Sequence, residues 1–278
     1  MQRWIAQNLL RTDAAAPHPA SFAYYRDRGL LAAARRHAGC NWLVKMDIRD
    51  FFDSLTERHV YDVYRGLGYG ALLSFQLARI CTRVRIDDPQ DVRWTKGVPG
   101  YFNSRQGRLP QGAPTSPGLA NLAVRPLDER LKDVADKRGW IYTRYADDLA
   151  FSTTDSSDRN AARELVQAVR KELVRFGLSP NNAKTVIAGP GSRRIVLGLL
   201  VDGPTPRLTR DFRTRIETHL YALRARAIGP AKHRQARKFA SLIGMRHHVG
   251  GLIAFAFHIE PTYGQARFDE FNAIDWTL

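Results

Sequence analysis

The stretch Trp140-Ile141-Tyr142-Thr143-Arg144-Tyr145-Ala146-Asp147-Asp148-Leu149-Ala150-Phe151-Ser152 decides the fold. Aromatic and β-branched residues stand on both sides of a short polar centre, a composition that favours two strands. It reads as a hairpin with Asp147 and Asp148 at its tip. Far upstream, Trp42-Leu43-Val44-Lys45-Met46-Asp47 alternates apolar side chains at Trp42, Val44 and Met46, which predicts a half-buried strand ending at Asp47. If the two elements pair, three carboxylates meet at one end of a sheet.

Carboxylates gathered in this way repel one another unless cations neutralise them. Hard oxygen ligands without Cys or His favour Mg²⁺, which keeps coordination positions open for substrate phosphates. Two such ions, roughly 3.5 to 4 Å apart, would serve an in-line displacement at phosphorus. An isolated Asp-Asp is as readily a turn dipeptide, so the rest of the chain has to decide between the readings.

Working outward, Ser54, Leu55, Thr56 and Glu57 form a capping-box pattern, predicting a helix from there toward Gly66. Ser116-Pro117 supplies an N-cap and an N1 proline. Leu119, Leu122, Ala123, Leu127, Leu131 and Val134 then recur at helical spacing as far as Gly139, with Pro126 expected to kink the helix. Leu165, Val169, Leu173 and Phe176 mark another helix closed by Gly177, and Arg194 to Val201 reads as two short strands pinched at Gly198. Beyond Pro206 the pattern is helical and basic. The expected architecture is α+β, with a catalytic body over residues 1 to 204 and a helical appendage over 205 to 278, divided near Gly203-Pro204-Thr205-Pro206.

Among 278 residues, Lys+Arg 43 against Asp+Glu 27 leaves a net charge of +16, and most of the cations are arginine, whose planar fork suits phosphate. Residues 205 to 258 hold 11 basic and 2 acidic side chains, so the appendage is the expected polyanion contact. With 44% hydrophobic and 25% charged residues the composition is globular, which excludes disordered and fibrous classes. Cys40 and Cys81 make no disulfide framework and share no metal-ligand spacing, and the N-terminus lacks a signal-peptide pattern. These features predict a cytoplasmic protein without a membrane partner.

Four blocks, in order, resemble the reverse transcriptases, specifically the bacterial retron and group II intron branch. They are Met46-Asp47-Ile48-Arg49-Asp50-Phe51-Phe52-Asp53-Ser54, Leu109-Pro110-Gln111-Gly112-Ala113-Pro114-Thr115-Ser116-Pro117, Tyr145-Ala146-Asp147-Asp148 and Asn181-Asn182-Ala183-Lys184-Thr185. The resemblance covers roughly residues 18 to 260 and implies a right-hand polymerase with fingers and palm (antiparallel sheet plus helices) and a C-terminal helical thumb. It implies that Asp47, Asp147 and Asp148 hold two Mg²⁺ ions, with a backbone oxygen from Ile48. It makes Phe52 a steric gate against the ribonucleotide 2′-hydroxyl; since strand neighbours point to opposite faces, one of Phe51 and Phe52 belongs to the core. Gln111 and Gly112 resemble the segment that contacts the incoming nucleotide, where glycine permits close backbone approach. Lys184 matches a lysine that protonates departing pyrophosphate, or is simply solvated. Arg26 and Arg28 resemble the cations that grip the triphosphate, and which of the two does so stays open.

Within the branch, Arg194 to Asp202 followed by basic helices looks most like the retron enzymes. Leu197 departs from the usual threonine of that block, and no Asn-Ala-x-x-His block lies between the first two catalytic motifs. The chain's end at Leu278 argues against a self-mobile intron protein. In the basic appendage, Phe212, Ile216, Leu220 and Leu223 form an apolar stripe, while Arg210, Arg213, Arg215, Arg224, Lys232, Arg234, Arg237 and Lys238 are the expected nucleic-acid contacts. The implied partners are a dNTP, an RNA/DNA hybrid, a structured noncoding RNA and an effector protein, in antiphage defence. Two rival readings remain at this level: a polymerase-shaped RNA-binding scaffold, and an RNA-dependent RNA polymerase, which Phe52 opposes.

Overall fold

The structure, a computed structural model, describes residues 1–84, 106–155 and 158–276. Strand β1 (Trp42–Asp47) lies inside a four-stranded sheet with β2 (Ile141–Tyr145), β3 (Asp148–Thr153) and β4 (Val186–Ala188), in the order β2-β3-β1-β4. Every pairing is antiparallel, and β1 runs against β3 from Trp42↔Thr153 to Asp47↔Asp148. The half-buried alternation expected for β1 is not found: Leu43, Val44 and Met46 are all buried, because a central strand is covered on both faces.

Helices α1 (Gln2–Asn8), α2 (Leu30–Arg35), α3 (Phe51–Ser54), α4 (Glu57–Gly66) and α5 (Ala71–Cys81) belong to the same unit, as do α6 (Ser116–Ala123), α7 (Arg125–Asp136) and α8 (Arg159–Phe176). The capping box sits two residues later than the sequence pattern suggested. Thr56 caps α4, and its N–H donates to His59 Nδ1 at 3.0 Å. The single kinked helix expected around Pro126 is instead two helices. Val124 ends α6, and Pro126 lies in the first turn of α7, where its missing N–H leaves no intrahelical bond unmade. Helix α8 follows its pattern: the Asp158 carboxylate accepts from the N–H groups of Asn160 and Ala161, Leu165, Val169 and Leu173 are buried, and Gly177 closes the end at φ 88°.

The chain divides into compact units Met1–Ser192 and Arg193–Leu278, earlier than the turn at Gly203 that the sequence suggested. The reason is a small meander of β5 (Ile195–Val196), β6 (Leu199–Leu200) and β7 (Arg207–Leu208), whose pairing ties residues on both sides of that turn together. Leu197 and Gly198 form the β5–β6 turn with φ 48° and 81°. Helices α9 (Arg210–Arg224), α10 (Gly229–Ala236), α11 (Leu242–Ile259) and α12 (Pro261–Asn272) complete this unit, with Ile216, Leu220, Met245, Val249, Ile253 and Phe271 buried among them. No helix among the described residues is long and apolar enough to cross a membrane.

Candidate active site

The end of β1 is pinned on both sides by backbone. Ile48 N–H donates to Asp147 O at 3.0 Å, Asn181 N–H to Asp47 O at 2.8 Å, and Arg49 N–H to Ser179 O at 2.9 Å. The β2–β3 connection is a two-residue turn, Ala146-Asp147, with Ala146 at φ 55°. Asp148 opens β3 directly opposite Asp47, and residues paired this way across antiparallel strands put their side chains on the same face.

Negative charge accumulates there. The Asp148 carboxyl is pushed above the usual carboxylate range by burial first, then by Asp147 and Asp47, against the opposing pull of Lys184 and Lys45. Lys184 ends the 3-10 turn Asn182–Lys184, and its Nζ donates to Asp47 Oδ2 at 2.9 Å. That contact raises the Lys184 pKa, through the hydrogen bond and then through Asp47's charge, although the side chain is largely exposed. Asp47, Ile48, Asp147, Asp148 and Lys184 therefore do converge. Among the described residues no three His, Cys, Asp or Glu side chains stand close enough together to hold a metal ion as they are. An all-oxygen set whose mutual repulsion raises Asp148, with one Asp47 oxygen on an ammonium, nonetheless has the chemistry a hard divalent cation relieves.

Phe51 and Phe52 separate as expected but for a different reason, since they occupy the short helix α3. Phe51 is buried, under the Arg144 guanidinium at 5.9 Å; Phe52 is partly buried, with its ring 5.5 Å from that of Phe51. Gln111 and Gly112 lie in an exposed turn and make no hydrogen bond to the carboxylates among the described residues. Gly112 has φ 87°, in the left-handed region that favours glycine, and open space where a Cβ would be. Arg28 donates from Nη1 to the carbonyls of His18 and Ser21, both at 2.8 Å, and is committed to its own loop, while Arg26 is exposed.

Sequence reasoning passed over three groups. Arg144, wholly buried, donates from Nε and Nη2 to both Asp128 oxygens at 2.8 and 2.7 Å, and from Nη1 to Asn121 Oδ1 and the Ala146 carbonyl at 3.0 and 3.1 Å. His37, also buried, bridges Ser152 Oγ and Thr143 Oγ1, each at 2.7 Å, and burial, then Arg36, lowers its pKa to about 3. Tyr24 stands 6.4 Å from Phe52, ring to ring. An arginine inside an apolar strand was the available signal for the first, because such a charge requires a buried acid.

In the C-terminal unit, four of the expected nucleic-acid contacts are engaged internally, two of them in ion pairs. Arg213 pairs with Glu260 and lies over the Tyr263 ring at 4.6 Å, and Arg224 pairs with Glu270 at 2.8 Å, ties that hold α9 against both ends of α12. Lys232 Nζ donates to the Ala227 carbonyl at 3.0 Å, and Arg234 Nη1 makes a long contact of 3.5 Å to that of Ala240. Arg210, Arg215, Arg237 and Lys238 are exposed.

Residues 1–201 match the reverse transcriptase (RNA-dependent DNA polymerase) family. The chain is 32% identical over 266 residues to the Retron Ec86 reverse transcriptase of Escherichia coli, covering 95% of this chain and 74% of that one. It is 31% identical to the Retron Mx162 reverse transcriptase and 32% identical to the Retron Mx65 reverse transcriptase, both of Myxococcus xanthus, over 99% and 87% of this chain. It spans 56% and 52% of the length of those two. The blocks around Asp47, Gln111, Asp147 and Lys184 thus fall within a match that runs through the whole N-terminal unit, and the chain belongs to the reverse transcriptase family, in its retron type.

Proposed function

We propose that this chain copies a structured noncoding RNA into DNA, adding dNTPs to a primer at the end of β1 and the β2–β3 turn. The observation that carries the reading is the Asp47↔Asp148 pair, with Asp147 in the adjoining turn and Lys184 on Asp47. Asp47, Asp147, Asp148 and the Ile48 carbonyl would hold two Mg²⁺ ions. The chemistry such ions supply when bound is activation of the attacking hydroxyl and stabilisation of the leaving group. The hydroxyl attacks the α-phosphorus and pyrophosphate departs. Lys184, kept protonated by Asp47, stands as the acid for that departing oxygen. Phe52 closes the sugar pocket, and Arg26, the uncommitted cation of its loop, takes the triphosphate, with Gln111 and Gly112 on the nucleotide. Arg210, Arg215, Arg237 and Lys238 contact duplex phosphates by charge and shape, since the deep major groove of paired RNA is closed to side chains.

Priming from a 2′-hydroxyl of the same RNA would give RNA-linked single-stranded DNA, made in antiphage defence with an effector protein. Extension of a primed RNA template with labelled dNTPs tests the chemistry. The wild type extends in Mg²⁺ and the double variant Asp147→Ala, Asp148→Ala does not; a double variant that still extends refutes the site. Sequencing of the nucleic acid that copurifies with the protein tests the template, and a DNA joined to one structured RNA is expected.

A further inference from the structure

Tyr24 occupies an unusual position for a bulky side chain. Its backbone is at φ 60°, in the left-handed region, and its ring is 52% exposed. A conformation of this kind persists only where the surroundings over-determine it.

Here the surroundings are a clamp. Arg144 N–H donates to the Ala20 carbonyl and Phe22 N–H to the Arg144 carbonyl, both at 2.8 Å. Arg144 Nη2 donates to Ser21 Oγ at 3.0 Å, and Asn121 Nδ2 donates to the Ala23 carbonyl at 2.8 Å. The same Arg144 holds the Ala146 carbonyl of the catalytic hairpin. One buried guanidinium therefore fixes both the hairpin turn and the loop that carries Tyr24. Burial first, and then the charge of Asp147, raises the Tyr24 pKa.

The Phe52 ring has two aromatic neighbours, Phe51 at 5.5 Å with an interplanar angle of 65° and Tyr24 at 6.4 Å and 53°. Phe51 is buried, whereas Tyr24 is exposed, so of the two neighbours Tyr24 is the one that meets solvent. A gate excludes a 2′-hydroxyl only if its ring cannot swing away, and edge or tilted ring contacts restrict that rotation.

We propose that Tyr24 is a positioning residue for sugar discrimination: its ring braces Phe52 from the solvent side, and the Arg144 clamp holds Tyr24 where it can do so. The proposal rests on the reading of Phe52 as the gate. The test measures kcat/KM for a dNTP and for the matching rNTP on a primed RNA template, in the wild type and in Phe52→Ala, Tyr24→Ala and Tyr24→Phe. The quantity read is the ratio, from which any fraction of unfolded enzyme cancels. Phe52→Ala should abolish most of the preference, Tyr24→Ala should reduce it about tenfold, and Tyr24→Phe, which keeps the ring, should retain it. If Phe52→Ala relaxes the preference while Tyr24→Ala slows both nucleotides equally, the bracing role is overturned and the gate stands. Loss of the preference in Tyr24→Phe would overturn it too, by assigning the effect to the hydroxyl. An unchanged ratio in Phe52→Ala removes the gate, and the bracing role with it.

Discussion

Arg144 carries a charge into a site without solvent and is kept there by geometry. Burial works against its guanidinium, and the bidentate pair with Asp128 outweighs that penalty and raises its pKa. Tyr142 Oη adds a donor to Asp128 Oδ1 at 2.7 Å, so Oδ1 accepts two hydrogen bonds and Oδ2 one. Removing one partner of such a pair strands the other charge, and Asp128→Ala should lower stability by about 3 to 5 kcal/mol in a denaturant titration. A loss below about 1 kcal/mol would mean that the network is relaxed by water and does not fix the hairpin. Lys184 is a different case: exposed and paired, it contributes little to stability, so Lys184→Ala should leave the denaturation midpoint nearly unchanged while slowing single-turnover extension, about 10²- to 10⁴-fold if it acts as the general acid. Unchanged extension would leave it a solvated partner of Asp47.

At the scale of elements, α11 and α12 approach closely at a glycine. A Cβ on Gly264 would fall 2.2 Å from Phe257 Cα and 2.4 Å from its nitrogen, backbone atoms that cannot turn aside. Gly264→Ala should therefore separate the two helices and destabilise the unit by about 1 to 3 kcal/mol, read as a lowered thermal midpoint; an unaltered midpoint would contradict this packing. The sequence alone exposed the elements whose signals are local. The apolar run ending at Asp47, the hairpin around Asp147, the Leu165 to Phe176 repeat closed by Gly177 and the turn at Gly198 all stand where periodicity and turn chemistry set them. What it concealed depends on tertiary placement. The burial of β1 on both faces follows from its central position in the sheet, and Pro126 starts a helix because Val124 ends the preceding one. His37 and Arg144 acquire meaning only once Ser152, Thr143 and Asp128 are brought beside them from distant positions. The gathering of three acids at one end of the sheet was legible because an acid closing one strand and a pair at a hairpin tip are a pattern, whereas Tyr24 signals nothing in one dimension.

For the molecule as a whole, the charge surplus and the buried histidines set its response to salt and acid. Charge reversal at Arg215 and Arg237, both exposed, should weaken RNA binding across sequences and flatten its salt dependence by about one unit of slope per lost phosphate contact; an unchanged slope would place the RNA elsewhere. His219 Nδ1 and His233 Nε2 share one hydrogen bond of 2.9 Å, and burial, followed by the charges of His233, His248, Arg237 and Arg215, lowers the His219 pKa to about 4 from the ordinary 6.5. The unfolded chain accepts a proton that the folded one refuses. Stability is thus complete above about pH 6.5 and declines as pH falls toward 4, with His37 adding the same trend in the N-terminal unit down to about 3. Thermal melts across this range should fall with acidity, less steeply in His219→Gln, and a flat profile would contradict the burial of these rings. All of this surrounds one claim, that Asp47, Asp147 and Asp148 form the catalytic centre. Single-turnover extension of a primed RNA template by Asp147→Asn, with RNA affinity measured on the same preparation, tests it most directly: the rate should fall by a factor on the order of 10³ or more at unchanged affinity, whereas a rate within tenfold of wild type would contradict it.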